Sequence, residues 1–338
     1  MGRDTQLDVA QIPAGRRRFG DRAPMRPAAV QSVAMAVPER VVGNDVVAAN
    51  TGVTEQWILH RTGVRERRMV GEGDRLQDLA VAAGEAALDE AGVDPADIDL
   101  VIVATIAADE LMPNAAPLVA HELGTPNAGA MDLASACTGF LSALSLATGQ
   151  VEVGRVEHAL VIGADVLSRI TDPSDRGTAA LFADGAGAVV VGPAEDGEGH
   201  IGPIVLHSDG AGAESIRAEI EERVVRMQGH DTFREAVRRM SEATLEATAL
   251  AGVDLDEIDL FVYHQANARI LAAVGEKLGL DRDRVIDSID RYGNTSSATL
   301  PIALSDARER GLLEPGMTVL LSAFGAGLTW GAGVIEWR

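Results

Sequence analysis

One cysteine in this chain has a setting that could support acyl-group chemistry. Cys137 follows a strand-like pattern and opens a helical pattern of small and apolar residues that runs to about Val153. A cysteine in the first turn of a helix meets unpaired backbone N–H groups and the positive end of the helix dipole, and both favour the thiolate. The pattern predicts a nucleophile, although a lone buried cysteine is more often a small hydrophobic core residue.

Two polar residues in the second half of the chain could assist such a nucleophile. His264 directly follows the apolar strand pattern of residues 260–263, and the carboxyl ends of strands in parallel sheets are where catalytic groups gather. A neutral imidazole there can donate a hydrogen bond to an oxyanion or exchange a proton. Asn294 lies between Gly293 and three hydroxyl residues. Each residue also has a purely structural interpretation. His264 would be a histidine whose hydrogen bonds are satisfied by neighbouring backbone groups, and Asn294 would lie in a turn that caps a helix.

The elements that position these residues are indicated by an internal repeat. Residues 91–100 (AGVDPADIDL) and 251–260 (AGVDLDEIDL) share seven of ten positions, 160 residues apart. Three weaker matches follow in the same order: 120–124 with 275–279, the Cys137 segment with the Asn294 segment, and 158–165 with 317–324. The repeat predicts two similar α/β halves stacked about a pseudo-twofold axis, with Cys137 and Asn294 at corresponding helix starts that face each other.

The pattern of strands and helices predicts the domain organisation. Amphipathic helices, two of them predicted at about 76–91 and 232–251, alternate with strands rich in β-branched residues, which is typical of mostly parallel sheets covered on both faces. We expect a flexible N-terminal arm at 1–27, a nucleophile-bearing half at 28–198 and a second half at 199–338, joined by the Gly- and acid-rich linker 192–199. The charged segment 209–227 is expected to form a surface helix or a flap.

Composition excludes several classes of function. The chain has 338 residues, of which 46% are hydrophobic and 24% charged, and its formal net charge is −22. This charge disfavours nucleic acid and anionic membranes as partners. A single cysteine cannot form an intramolecular disulfide, and no apolar stretch reaches the length of a membrane span, so the expected location is the cytoplasm. The two glycine-rich segments fit neither nucleotide-binding loop, and no residues have metal-ligand spacing.

Taken together, the motifs closely resemble those of the β-ketoacyl-ACP synthase III family of the thiolase superfamily. The resemblance covers the chain from about residue 28 onward. Its motifs are WILHRTGVRERR (57–68), DLASACTGF (132–140), DPSDRGT (172–178), ADGAGAVV (183–190), HQANARI (264–270), YGNTSSAT (292–299) and AFGAGLTWG (323–331). It implies a thiolase-like fold, in which duplicated α/β halves with mixed, mostly parallel sheets form αβαβα layers.

The resemblance also implies a role for each matching residue. Cys137 matches the acylated nucleophile, and His264 and Asn294 match the pair that stabilises the enolate. The backbone N–H groups of Cys137 and Ala326 match the oxyanion hole. Three further sets are implied: coenzyme A and pantetheine contacts at Trp57, Arg61, Arg176, Phe233 and Asn267; an acyl pocket at Met112, Leu167 and Phe182, with Met112 supplied across a dimer; and acyl carrier protein docking at Arg234, Arg269 and Lys277.

The implied reaction is a decarboxylative Claisen condensation that initiates fatty acid or polyketide synthesis. An acyl-CoA starter acylates Cys137, and malonyl-ACP then loses CO2 and attacks the acyl group, giving β-ketoacyl-ACP. The implied partners are acyl-CoA, malonyl-acyl carrier protein and a second copy of the chain, and the reaction needs no metal or redox cofactor. One alternative is an acyltransferase on the same fold that passes the acyl group to a hydroxyl or amine, and another is a non-catalytic acyl-CoA-binding module. Neither the starter acyl group nor the pathway follows from the sequence.

Overall fold

The computed structural model of this chain describes residues 25–194 and 199–338. The arm predicted at 1–27 lies, up to residue 24, outside the described residues, as do residues 195–198 of the predicted linker. Within the described part, no helix is long and apolar enough to cross a membrane.

Thirteen strands are described, and two larger sheets contain nine of them. The first sheet has five strands in the order β1-β7-β6-β4-β5, and the second has four in the order β11-β12-β13-β8. The strands are β1 (Ala28–Ala36), β2 (Val41–Gly43), β3 (Glu66–Arg68), β4 (Ile98–Ala104), β5 (Gly129–Leu133), β6 (His158–Val166), β7 (Asp184–Pro193), β8 (Ile201–Ser208), β9 (Ile216–Ala218), β10 (Val225–Met227), β11 (Leu260–Tyr263), β12 (Thr318–Gly325) and β13 (Thr329–Glu336).

Both larger sheets mix parallel and antiparallel pairs. β4 pairs in parallel with β5 and β6, and β11 pairs in parallel with β12, whereas β7 and β13 run antiparallel to their neighbours. The second sheet thus repeats the order of the first, since β8, β13, β12 and β11 take the places of β1, β7, β6 and β4. The chain passes from the first sheet to the second between β7 and β8. We therefore propose that the boundary between the two halves lies at 198–199.

Nine α-helices of the described chain cover and separate the sheets. They are α1 (Asn44–Thr51), α2 (Glu55–Thr62), α3 (Leu76–Ala91), α4 (Ala115–Leu123), α5 (Gly139–Glu152), α6 (Gly229–Ala251), α7 (Ala268–Leu278), α8 (Ile289–Tyr292) and α9 (Thr299–Glu309). The predicted bounds of α3 are correct, and α6 starts three residues earlier than the predicted 232. The helix predicted from Cys137 begins at Gly139, because residues 136–138 form a 3-10 turn.

Three apolar clusters define five layers. One cluster joins α3 and α4 to the outer face of the first sheet, and another joins α6 and α7 to the outer face of the second. The largest lies between the sheets, where α5 and α9 supply residues such as Phe140, Leu144, Leu300 and Leu304. The order α-β-α-β-α follows, as the resemblance implied. The two central helices begin at the site, so burying them also fixes the residues that precede them.

The structure corrects the predicted correspondence between Cys137 and Asn294. Ala136 and Ser296 have φ angles of 45° and 54°, which side-chain-bearing residues seldom adopt. Each begins a 3-10 turn that leads into a central helix, α5 or α9. With this pairing, 160 residues apart, Cys137 corresponds to Ser297. The weak sequence match was wrong by three positions because Thr and small residues recur on both sides of each turn.

Candidate active site

Cys137 lies at the junction of the two halves. Its 3-10 turn packs against β12, and a side chain at Gly325 would stand 2.9 Å from the Cys137 amide nitrogen and 3.0 Å from its Cβ. The neighbouring Thr138 hydroxyl is 2.8 Å from the Thr329 hydroxyl at the start of β13. A residue of the first half is therefore held in place by the second half.

The protonation of the Cys137 thiol differs from the prediction. The residue is half-buried by surface area, but protein atoms surround its thiol, and burial raises the pKa to about 12. The Ser296 hydroxyl and the Cys137 backbone N–H act in the opposite direction, and the Asp165 carboxylate adds to the rise. The expectation that the helix start favours the thiolate is therefore wrong for the unliganded protein, because desolvation of the charged form outweighs the local N–H groups.

The turn from Asn294 to Thr299 carries the two polar candidates of the second half. The Asn294 side-chain oxygen accepts a hydrogen bond from the Ser296 amide at 2.9 Å, which leaves its NH2 group as the free donor. His264 Nδ1 lies 2.6 Å from the Thr299 hydroxyl. Because that hydroxyl also lies 3.1 Å from the Ser296 carbonyl, one short segment orients both side chains. Sequence reasoning did not single out Thr299.

His264 is nearly inaccessible, at 1% exposure. Burial lowers the pKa of its imidazole to about 3, since the charged form is desolvated. The side chain is therefore neutral at physiological pH. It can donate or accept one hydrogen bond through Nε2, depending on the tautomer that Thr299 selects.

A fully buried carboxylate connects this turn to the first half. Asp165, at the end of β6, accepts hydrogen bonds from the Ser297 amide at 3.0 Å and the Ser297 hydroxyl at 2.7 Å. It also accepts hydrogen bonds from the Thr105 hydroxyl and the Ile106 amide, at 3.1 and 2.9 Å. The Ser297 hydroxyl lies 2.8 Å from the Ala104 carbonyl as well. Asp165 therefore joins β4, β6 and the start of α9.

The residues predicted to contact coenzyme A form one group at the surface. The guanidinium groups of Arg61 and Arg176 lie 5.9 and 5.8 Å from the centre of the Trp57 ring. Asn267 caps α7 by accepting a hydrogen bond from the Arg269 amide, and its NH2 group donates to the Arg61 carbonyl at 3.1 Å. The structure thus connects α2 to the segment that follows His264.

The predicted docking residues lie on two neighbouring helices. Arg234 is on α6 and is 65% exposed, with Asp231 at 3.4 Å. Arg269 and Lys277 are on α7, and the Arg269 guanidinium lies 5.6 Å from the centre of the Phe233 ring. Phe233, which is predicted to contact pantetheine, therefore lies beside Arg269, which is predicted to contact the carrier protein.

Two of the predicted acyl-pocket residues belong to one apolar cluster. Leu167 and Phe182 pack together with Ala107, Ile170 and Leu181. Met112 is 78% exposed and is not part of this cluster, and its expected place across a dimer interface stays a prediction.

The rest of this cluster comes from a segment that sequence reasoning left open. Residues 209–227 form a short 3-10 turn and the β9–β10 hairpin rather than a helix. Ile216, Val225 and Met227 of the hairpin pack on the cluster that contains Leu167 and Phe182. Alternation of apolar and charged residues from 225 to 227 was the available signal for a strand. The described residues contain no group of three His, Cys, Asp or Glu side chains suited to a metal ion.

Comparison with known proteins places these features in one family. Residues 131–225 match the family described as 3-oxoacyl-[acyl-carrier-protein (ACP)] synthase III, and residues 248–337 match its C-terminal part. The chain is 44% identical to beta-ketoacyl-[acyl-carrier-protein] synthase III 2 of Streptomyces coelicolor, over 92% of this chain and 94% of that protein.

Two solved structures share the fold over their whole length. The 3-oxoacyl-[acyl-carrier-protein] synthase III of Aquifex aeolicus superposes with a TM-score of 0.89 at 37% identity, covering 92% of this chain and 100% of the other. The priming beta-ketosynthase from the R1128 polyketide biosynthetic pathway gives a TM-score of 0.90 at 37% identity, covering 95% and 99%.

Proposed function

This chain belongs to the β-ketoacyl-ACP synthase III family, and we propose that it condenses an acyl-CoA starter with malonyl-ACP, releasing coenzyme A and CO2. The observation that supports the proposal is the turn from Asn294 to Thr299, which orients a carboxamide and a neutral imidazole and brings the Ser296 hydroxyl to Cys137, the only cysteine of the sequence. The product is a β-ketoacyl-ACP that begins a fatty acid or polyketide chain.

The first half-reaction transfers the acyl group to sulfur. We propose that acyl-CoA binds with its adenine between Trp57 and Arg176, where an indole face and a guanidinium group suit a flat, electron-rich ring. Cys137 attacks the thioester carbonyl, and the amides of Cys137 and Ala326 hold the oxyanion. The C–S bond to coenzyme A breaks and the departing thiolate takes up the proton of Cys137. This route needs no free Cys137 thiolate in advance, which fits its raised pKa.

The second half-reaction forms the carbon–carbon bond. Malonyl-ACP places its phosphopantetheine arm along Phe233 and Asn267. The NH2 group of Asn294 donates a hydrogen bond to the malonyl thioester oxygen, and so does Nε2–H of His264, in the tautomer whose Nδ1 accepts from the Thr299 hydroxyl. Loss of CO2 leaves an electron pair that these two donors stabilise as the enolate. The enolate carbon attacks the acyl carbonyl, the bond to sulfur breaks, and Cys137 departs as a thiolate that takes up one proton from solvent. The thioester itself stabilises the carbanion, so the proposed reaction uses no metal or redox cofactor.

We propose that the acyl chain of the starter binds against the apolar side chains of the cluster that contains Leu167 and Phe182. This cluster is closed by the β9–β10 hairpin, so we expect the hairpin to limit chain length. Arg234, Arg269 and Lys277 give the otherwise acidic protein a local basic surface for an acidic carrier protein. We place the reaction in the cytoplasm.

We also propose that the chain functions as a homodimer. β5 is an edge strand of the first sheet, and Met131 on it is 43% exposed. Leu111 and Met112, which precede α4, are 87 and 78% exposed, and the first amides of α4 donate to Asp132 of β5. Large exposed apolar residues next to an unpaired strand are typical of an interface. Sedimentation at micromolar concentration tests this proposal, and a monomer under all conditions would contradict it.

The proposed reaction is tested by incubating the protein with a panel of acyl-CoAs and malonyl-ACP. We expect an acyl adduct on Cys137 by intact-protein mass, followed by CO2 and a β-ketoacyl-ACP of the corresponding mass. Cys137→Ser is the control and should give no acyl adduct; normal acylation of this variant would contradict the assignment of Cys137 as the nucleophile. Acyl transfer to a hydroxyl or amine without CO2 would support the acyltransferase instead, and the absence of any adduct would support a binding module.

A further inference from the structure

Arg67 is the largest side chain that is completely buried in the described part of the protein. It lies on β3, in the stretch that leads away from the coenzyme A residues Trp57 and Arg61. Its exposure is 0%, and burial lowers its pKa to about 10, so the guanidinium is still charged at neutral pH. Neither half-reaction above uses this cation.

No carboxylate among residues 25–194 and 199–338 forms an ion pair with Arg67, although many other arginines in that part of the chain do, such as Arg26 with Glu157 and Arg310 with Asp306. A buried charge without a counter-ion is costly unless other groups satisfy it. Its partners here are neutral oxygens. One terminal nitrogen donates to the Asn44 side chain at 2.8 Å and to the Ala180 carbonyl at 3.2 Å. The other donates more weakly, at 3.4 Å, to the Val42 and Gly43 carbonyls.

The bond to Ala180 connects Arg67 to the segment that holds Asn294. The Asn294 amide donates to the Leu181 carbonyl at 2.9 Å, and the Ala183 amide donates to the Asn294 carbonyl at 2.9 Å. The backbone of Asn294 is therefore paired on both sides with residues that directly follow Ala180. Arg67 also packs beside Gly293, where an added Cβ would lie 3.3 Å from the Arg67 Cβ.

We propose that Arg67 is a positioning residue for Asn294: its buried guanidinium fixes segment 180–183, and that segment fixes the backbone from which the Asn294 carboxamide projects. A planar, charged group with several donors can hold carbonyls of two chain segments at once, whereas a lysine ammonium on a flexible stem cannot reproduce that geometry. The inference rests on the proposed function, since Asn294 matters only in the second half-reaction.

Activity provides the first test, because Cys137 acylation does not require Asn294 and decarboxylation does. We expect Arg67→Lys to reduce single-turnover CO2 release from malonyl-ACP on the pre-acylated enzyme about 10–100-fold, as a small displacement of a catalytic group does. The rate of acylation by acyl-CoA should change less than about twofold, and acylation amplitude reports the folded fraction. Ser32→Ala is the matched control, since Ser32 is also fully buried but donates to the Ala87 carbonyl at 2.7 Å, remote from the site.

Hydrogen exchange provides the second test, without substrate. In Arg67→Lys we expect faster exchange in peptides that cover 181–184 and 290–297, where the paired amides of Ala183 and Asn294 lie, and unchanged exchange there in Ser32→Ala. The proposal would be overturned if Arg67→Lys reduced the rates of acylation and of CO2 release equally and left hydrogen exchange in these peptides unchanged. If the wild-type protein released no CO2, the proposed function would fail, and exchange would still decide whether Arg67 positions Asn294. If Arg67→Lys does not fold, Arg67→Met, which leaves no buried charge, takes its place in both tests.

Discussion

The 3-10 turns at 136–138 and 296–298 occupy corresponding places in the two halves, yet they have opposite surroundings. In the first, Cys137 faces Gly325 at the end of β12, where a side chain would stand 2.9 Å from the Cys137 amide nitrogen. In the second, Ser297 faces Asp165 at the end of β6, which binds both its amide and its hydroxyl. Asp165 and Gly325 are themselves corresponding positions. One copy of the turn is thus available for chemistry, and the other joins the halves.

This comparison indicates how a duplicated fold can divide its tasks. Both turns need a residue at positive φ, Ala136 or Ser296, and such local strain persists only where the surroundings hold it in place. The second turn is held by a buried carboxylate. The first is held mainly by packing against β12 and by the hydroxyl of Thr138.

Exchanging the two side chains should have the largest effect. In the double variant Cys137→Ser and Ser297→Cys, the thiol moves to a residue with 1% exposure beside Asp165. We expect no acyl adduct at either position and a loss of condensation of at least about 10³-fold, as for removal of a catalytic nucleophile. Intact-protein mass after acyl-CoA exposure measures it, with Ser297→Cys alone as the control that retains Cys137. An adduct on the cysteine at 297 would show that both turns can present a nucleophile.

Filling the space opposite Cys137 should have the next largest effect. In Gly325→Ala, the new Cβ would lie 2.9 Å from the Cys137 amide nitrogen, so backbone must shift where the oxyanion is proposed to bind. We expect acylation to slow about 10²-fold, as for loss of one oxyanion donor. Gly149→Ala in α5 is the control, since an added Cβ there meets nothing within 4 Å. A wild-type acylation rate in Gly325→Ala would contradict the assigned geometry.

Altering the carboxylate of the other turn should mainly affect stability. Asp165→Asn keeps one acceptor for Thr105 and Ile106, but its NH2 group faces the Ser297 amide, leaving a buried donor unsatisfied. We expect a loss of about 1–3 kcal/mol in the free energy of unfolding, measured by urea titration. Asp99→Asn is the control, because the Asp99 carboxylate is exposed and accepts from the exposed Glu157 amide. If Asp165→Asn were as stable as the wild type, the contact between the two halves at Ser297 would not depend on the Asp165 carboxylate.

The sequence predicted the elements better than the geometry between them. The bounds of α3 and β11 were predicted correctly because long periodic segments and apolar runs determine them locally. The correspondence of Cys137 with Ser297 was not predicted, because it depends on backbone φ at Ala136 and Ser296 and not on side-chain type. The raised pKa of Cys137 was missed for a similar reason, since its desolvation depends on burial in the folded protein, where elements distant in sequence such as β12 pack against its turn. The roles of His264 and Asn294 were implied by the family resemblance and remain proposals.

The pH dependence of the free energy of unfolding should show a smaller effect, due to His264. The corresponding residue of the first half is Ala104, which has no titratable group. The pKa of His264 in the folded protein, about 3, is below the ordinary value of 6.5, so the unfolded chain binds a proton that the folded protein excludes. Its contribution to stability is therefore complete above pH 6.5 and is lost as the pH falls from 6.5 toward 3, by at most about 1.4 kcal/mol per pH unit.

We therefore expect wild-type protein to lose more stability between pH 6.5 and 4.5 than His264→Asn, as measured by urea titration at each pH. Asp165 acts in the opposite direction, because burial raises its pKa and its contribution falls as the pH rises above 3.8. The difference between wild type and His264→Asn removes this shared term, and His121→Asn serves as an exposed-histidine control. Parallel curves for wild type and His264→Asn would mean that water reaches the imidazole, and the buried, neutral hydrogen-bond donor proposed for the enolate would have to be abandoned.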